Sequence, residues 1–313
     1  MKRKKIGERS FWYFLFMLPN LLLYGIFGIF PIALGIFYSF TDWNGIAKSW
    51  KMVGLGNYIK MLHDSRFLRA MRFNITYTLL LVVIVIALAM ILAVMMDKMK
   101  WGKTFFRAVY FIPAVLSLLT VGIIFEKIYG TVLPAMGAYL EIDFLKKNIL
   151  ASAATARYGI LITHVWQGVV LPTVLLTAGL QTVPQELTEA AYIDGATRWQ
   201  AFRTITIPFL LPILSVVLVL VLKDGLMLYD YVYALTSGGP GGATESITML
   251  VYKQGFQEMK FSYALAEAVA LNMADSTDAK LQTLTELFKG KTGTDWLGYN
   301  RLFESNLRRA SED

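Results

Sequence analysis

Side chains able to do covalent chemistry are few in this chain, and their spacing excludes most reactions. Gly102-Lys103-Thr104 and Gly290-Lys291-Thr292 come nearest to a phosphate-cradling loop. That loop needs a further glycine five positions earlier, where this chain has Asp97 and Thr285. His63 and His164 stand far apart without metal-ligand spacing, and cysteine is absent, which removes both a disulfide frame and a thiolate metal site. No loop gathers a nucleophile, a base and an orienting group, and no two carboxylates share a useful spacing, so an enzyme is not indicated. What remains is polar and aromatic side chains set in apolar runs: Thr163, Trp166 and Gln167 in one, Tyr229 and Asp230 just after another. Polar groups at membrane depth are functional candidates. Trp166 fits packing between helices as well. Lys223 and Asp224 fit an outer interface, where the lysine stem would snorkel.

The composition places these residues in a bilayer. Hydrophobic residues make up 56% of the 313 positions and mean hydropathy is +0.52, against about 45–50% apolar in soluble domains. The net charge of +8 invites a nucleic-acid reading, but the cations gather at Lys2, Arg3, Lys4, Lys5 and Arg9, and again at Lys98, Lys100, Lys103 and Arg107. Both clusters flank apolar runs, where membrane topology places positive charge.

Five runs are long enough to span, and they imply an all-α polytopic bundle. A basic cytoplasmic N-terminus over residues 1–10 leads into an uncharged stretch, Ser10 to Thr41, with no small-residue cleavage site. It reads as a retained first helix, kinked near Pro19 and Pro31. A polar and aromatic stretch from Ser39 includes an amphipathic helix expected around Tyr58 to Arg72, and the glycosylation spacing at Asn74-Ile-Thr76 carries no weight beside it. Thr76 to Met96 is the second span, roughly 31 Å of helix. The third is expected over Ala108 to Phe125, bent at Pro113, and Glu126 to Arg157 is then a polar outer connection. The fourth runs from Tyr158 to Leu180 and the fifth from Thr204 to Leu222. Arg66, Arg69 and Arg72 make total charge a poor guide to orientation, so sidedness rests on the N-terminal cluster and the short loop at Lys98.

Between the fourth and fifth spans lies a segment, 182–208, that is polar yet patterned. Thr182 to Gln185 has capping-box spacing with Pro184 in the first turn, Gly195 falls where a left-handed cap would end that helix, and Thr197 to Gln200 repeats the capping box. A second short helix would then run until Pro208. Leu187, Ala190, Ala191 and Ala196 are small or apolar while Glu186, Glu189, Asp194, Arg198 and Arg203 are charged, a unit built to dock. The order EAA at Glu189, Ala190 and Ala191, then Asp194, Gly195 and Ala196, then Phe202, Ile205, Pro208 and Pro212 resembles the EAA loop of permease subunits of binding-protein-dependent ABC importers. The polar stretch after the first span and the glycine-rich run Leu235 to Ser246 resemble outer loops of that family's sugar-type members.

The resemblance implies the translocation subunit of an ATP-driven importer of sugars or oligosaccharides in a bacterial inner membrane. It implies as partners a second permease subunit, two ATP-binding cassette subunits that bind the ATP, and an extracellular substrate-binding protein, with no cofactor in this chain and no nucleic acid. Glu189, Ala190, Ala191, Asp194, Gly195, Ala196, Phe202 and Pro208 would then couple to the ATPase from the cytoplasm. Phe261 to Leu271 resembles the start of the family's last span, but the apolar run closes within about 13 residues where about 20 are needed. The permease domain is accordingly read as 11–272, and 273–313 as a polar tail with helical spacing at Leu281, Leu284 and Leu287 or Phe288. An ion-coupled secondary transporter or channel would need inverted repeats or mid-membrane carboxylates. A non-transporting scaffold stays open because of the short final run.

Overall fold

A computed structural model describes the backbone of residues 4–99, 102–273, 296–300 and 305–308. It is mostly helical and divides into two units, Met1–Leu68 with Leu250–Asn272, and Arg69–Met249 with Met273–Asp313. Among the described residues, four helices are long and apolar enough to cross a membrane, or five if one bent pair counts as a single span.

In the first unit, α1 (Lys4–Tyr24) and α2 (Phe30–Ser39) are joined by a π turn, Gly25–Ile29. The helix runs through Pro19 and leaves the α pattern ahead of Pro31, where Phe30 donates its N–H to Gly25 O, five residues back. A proline cannot donate, and its ring crowds the carbonyl four residues earlier, so a wider turn just before it relieves both problems. The same device recurs before Pro134 and before Pro208. The span Tyr13–Ser39 is apolar all round and buries none of its most apolar window within the chain. Beyond it, Asn57 Nδ2 donates to Ser39 O and Thr41 O, folding the connection onto α3 (Gly56–His63).

The amphipathic stretch expected over Tyr58 to Arg72 is not one helix. It breaks at Asp64, whose extended backbone lets Oδ1 accept from Arg66 N at 2.8 Å and start α4 (Ser65–Lys98). Asp64 Oδ2 accepts from the Tyr263 hydroxyl at 3.0 Å, and Glu258 bridges Arg66 and Lys260. The last described helix of this unit covers 261–273, roughly 20 Å of rise and short of a span.

The second unit is built on α4. Tyr77, Leu81, Val85, Ala89 and Ala93, each four residues from the next, form its buried stripe, while Leu79, Val83, Ile91 and Met95 face outward. The third span differs from expectation. Helix α5 (Lys103–Val115) ends soon after Pro113, Leu116 and Ser117 are extended, and α6 (Leu118–Lys127) continues through a π turn, Ile128–Val132, into α7 (Leu133–Tyr139). The candidate span is therefore Leu118–Tyr139, and Glu126 onward begins as helix, not as an outer loop. Glu126 and Lys127, which suggested the boundary, pair with each other at 3.0 Å.

Helices α8 (Ala153–Gly168) and α9 (Val170–Leu180) meet at about 40°. The ring of Pro172 would crowd the carbonyl of Gly168, four residues back, and the chain bends at that place. After α10 (Gln185–Ile193) and the single turn α11 (Arg198–Ala201), a π turn Phe202–Thr206 runs straight into α12 (Ile207–Leu226). Pro208 does not end the helix, because Ile207 donates five residues back to Phe202 and the turn is already open when the proline arrives. The span is Arg198–Leu226, longer at both ends than Thr204 to Leu222. Gly225 lies against α4, where a Cβ would come within 2.7 Å of Thr78 Cγ2. Helices α13 (Asp230–Leu235) and α14 (Ile247–Tyr252) follow, with the glycine-rich turn between them.

In the tail, β1 (Trp296–Asn300) and β2 (Ser305–Arg308) pair antiparallel, with Tyr299 opposite Asn306. Through the permease domain the described elements are helical, consistent with the all-α reading. The helical spacing at Leu281, Leu284, Leu287 and Phe288 lies outside the described residues.

Candidate functional site

A cavity of about 540 Å³ opens in the second unit, walled by α5, α8, α9, α12 and the segment leading into α13. Its polar faces are His164, Gln167, Asp224, Tyr229, Asp230 and Tyr231, set among apolar groups such as Phe111 and Leu171. Of the expected pathway residues, Gln167, Tyr229 and Asp230 reach it. Thr163 and Trp166 do not line it. Thr163 is fully buried, its hydroxyl donating to Gly159 O at 2.9 Å and lying 3.1 Å from the Tyr129 hydroxyl. Trp166 lies against Phe125 with ring centroids 5.2 Å apart, the packing alternative. One residue of helix separates Trp166 from Gln167, about 100° of rotation, which is enough to send them to different neighbours.

Gln167 holds the cavity wall. Its Nε2 donates to Pro113 O at 3.0 Å and Leu116 O at 2.8 Å, supplying donors to carbonyls at the break between α5 and α6, and its Oε1 accepts from the Tyr231 hydroxyl at 2.7 Å. Both amide hydrogens and one acceptor site are thus committed to the fold. His164, one turn before, shares a hydrogen bond through Nδ1 with the Tyr77 hydroxyl at 3.0 Å, and its ring lies 4.6 Å from that of Tyr231. The Tyr110 hydroxyl donates to Val169 O at 2.8 Å, fixing the bend between α8 and α9.

His164, Asp224 and Tyr231 escaped the sequence reading. The signal for His164 was its spacing of three from Gln167, which shares one helix face. Asp224 was placed at an outer interface beside Lys223, yet Asp224 lines the cavity and Lys223 does not. Tyr231 had no local signal, since its role comes from a partner 64 residues away.

The second candidate region is the segment after α9. Thr182 is not a cap. Proline disfavours helical backbone in the residue before it, so Val183 stays out and α10 starts at Gln185 with Pro184 in the extended region. The Thr182 hydroxyl instead donates back to Gly179 O at 2.8 Å. The other end is as expected. Gly195 takes φ +86°, its N–H donates to Tyr192 O and that of Ala196 to Ala191 O, the paired bonds of a Schellman cap. Thr197 N donates to Gln200 Oε1 at 2.7 Å and Gln200 N to Thr197 Oγ1 at 3.3 Å, a complete capping box. Glu189, Ala190, Asp194, Gly195 and Pro208 are exposed, while Ala191, Ala196 and Phe202 are half-buried. Ile193 at 86% exposure and Trp199 at 66% stand out as large apolar groups, and Trp199 stacks on Phe202 at 5.9 Å.

Residues 85–271 match the family model described as binding-protein-dependent transport system inner membrane component. The chain is 41% identical over 262 residues to the multiple sugar-binding transport system permease protein MsmF of Streptococcus mutans, covering 84% of this chain and 90% of that one. It is 30% identical to the probable starch degradation products transport system permease protein AmyD of Thermoanaerobacterium thermosulfurigenes, covering 86% and 92%. Among solved structures, a chain of a bacterial ABC transporter involved in the import of the acidic polysaccharide alginate superposes with a TM-score of 0.79 at 19% identity, over 93% of this chain and all of that one. At that identity the likeness concerns fold.

Proposed function

Because the chain belongs to the family of binding-protein-dependent transport system inner membrane components, we propose that it is the translocation subunit of an ATP-driven importer of sugars or oligosaccharides. The observation that carries this is the capped helix–turn–helix between two spanning segments, with Ile193 and Trp199 bare to the outside of the chain. A membrane span needs no such unit for its own stability. An exposed apolar pair on a rigid polar scaffold is what a protein partner would bury.

In this reading α10 and α11 lie on the cytoplasmic side and fit a nucleotide-binding subunit. Two such subunits bind the ATP, a second permease completes the pathway, and a substrate-binding protein delivers cargo from outside. The N-terminus is cytoplasmic, in a bacterial inner membrane. Closure of the ATPase pair moves α10 and α11. The motion enters the bilayer directly, since α11 continues without interruption through the π turn into α12, whose far end carries Asp224 on the cavity wall. The energy source is the partner's, and this chain supplies the pathway and the lever.

The test uses the absence of native cysteine. Glu189→Cys introduces a single thiol, which a membrane-impermeant maleimide should label in inside-out vesicles and not in right-side-out ones, with labelling blocked when the ATPase subunits are bound. Labelling from the outer side would overturn the coupling role.

A further inference from the structure

The described residues of the cavity wall carry two carboxyls, Asp224 and Asp230. Asp224, from the last turn of α12, and Asp230, from the first turn of α13, both line it, and among the described lining residues none is a lysine or arginine. Lys223 is adjacent to Asp224 in sequence but absent from the lining. The imidazole of His164 meets the Tyr77 hydroxyl through Nδ1 and lies 4.6 Å from the Tyr231 ring. The remaining polar groups are phenols, and the Gln167 amide hydrogens are used by Pro113 O and Leu116 O.

We propose that this cavity discriminates by charge, admitting uncharged saccharides and rejecting anionic ones such as uronates and phosphorylated sugars. The proposal rests on the saccharide-permease reading above and sharpens it. The physical reason is the setting. In a cavity walled largely by apolar groups, a carboxylate or phosphate on the cargo meets two wall carboxyls, and their repulsion is less screened than in bulk water. Specificity built from such a repulsive element needs no extra attraction to the preferred cargo. Phe111, 43% exposed on the cavity wall, offers an apolar face for a neutral sugar ring, independently of charge.

Saturation-transfer NMR on the assembled importer in nanodiscs reads binding at the permease directly, without depending on delivery by a binding protein. The probes are maltotriose and trigalacturonate, which match in length and differ in charge. The expected result is saturation transfer to maltotriose at least tenfold stronger than to trigalacturonate, with the ratio falling toward unity in the Asp224→Asn, Asp230→Asn double variant. Equal transfer to both probes in the unaltered complex, or stronger transfer to trigalacturonate, overturns the charge selection while leaving the saccharide reading in place. An unchanged ratio in a double variant that still assembles also overturns it. Transfer to neither probe removes the saccharide reading itself, and this proposal with it. The comparison of probes in the unaltered complex stands whether or not the double variant folds.

Discussion

Tyr231 donates its hydroxyl proton to Gln167 Oε1 at 2.7 Å, and the amide nitrogen of that same Gln167 reaches Pro113 O and Leu116 O. One side chain thereby ties α13 through α8 to the break between α5 and α6. Tyr231→Phe removes a single buried bond and should lower the stability of the purified protein by about 1–3 kcal/mol. Gln167→Leu leaves two carbonyls without this donor and should cost more. Thermal unfolding in detergent would rank the two, and a Gln167→Leu protein as stable as the unaltered one would show that the tie is dispensable.

Asn74 repeats this design from α4. Fully buried, it donates through Nδ2 to Gly225 O at 3.2 Å and Leu226 O at 3.0 Å, closing the end of α12, while Oδ1 accepts from Ile247 N at 3.1 Å. Asn74→Leu keeps the volume and loses all three bonds. Each buried group left without a partner should cost about 1–3 kcal/mol, and the thermal midpoint should fall accordingly. Asn74→Asp, which retains the acceptor for Ile247 N, should separate the two halves of the clamp by keeping only the α14 side.

Gly195 is required for its backbone and not for space, since a Cβ there would meet nothing within 4 Å at φ +86°. Gly195→Ala should cost about 1–2 kcal/mol of local strain, and Gly195→Asn less, because asparagine tolerates this region better. Uptake corrected for the amount of inserted protein should decline in the order glycine, asparagine, alanine, valine. Equal uptake across the series would separate the turn from transport.

The ionic cluster around Asp64 makes the first unit sensitive to acid. Glu258 is held below its ordinary 4.5 by hydrogen bonds from Lys260 and Arg66 and by their charges. Partial burial pushes Asp64 upward, but bonds from Arg66 N, Tyr263 and Phe67 N and the Arg66 charge outweigh it and leave the carboxyl below its ordinary 3.8. A carboxyl whose folded pKa is depressed stabilises the fold above its unfolded pKa and loses that contribution as pH falls through the folded value. Stability should therefore be level from pH 7 to about 5 and decline below about 4.5. Glu258→Gln should be less stable at pH 7 and show a shallower acid decline, measured as thermal midpoint against pH.

What could be read from the chain alone was what local rules govern. Gly195 with Thr197 and Gln200 specify a turn that depends only on residues within six positions, and the structure forms it. The apolar runs specify spans because hydrocarbon thickness sets their length, and each of the five candidates overlaps the run expected for it. Boundaries failed at Pro208, read as a helix end, and at Glu126, where charge was read as the edge of a span. Before Pro31, Pro134 and Pro208 a π turn carries the helix onward, because at membrane depth an unpaired backbone group costs more than a widened turn. The tertiary structure alone decided the cavity. Composition offered Thr163, Trp166, Gln167, Tyr229 and Asp230 as equals, but a helix turning about 100° per residue sends adjacent side chains to different neighbours. Which of them face the pathway depends on which helix packs alongside, and that choice is made by contacts such as Tyr231 with Gln167, 64 residues apart.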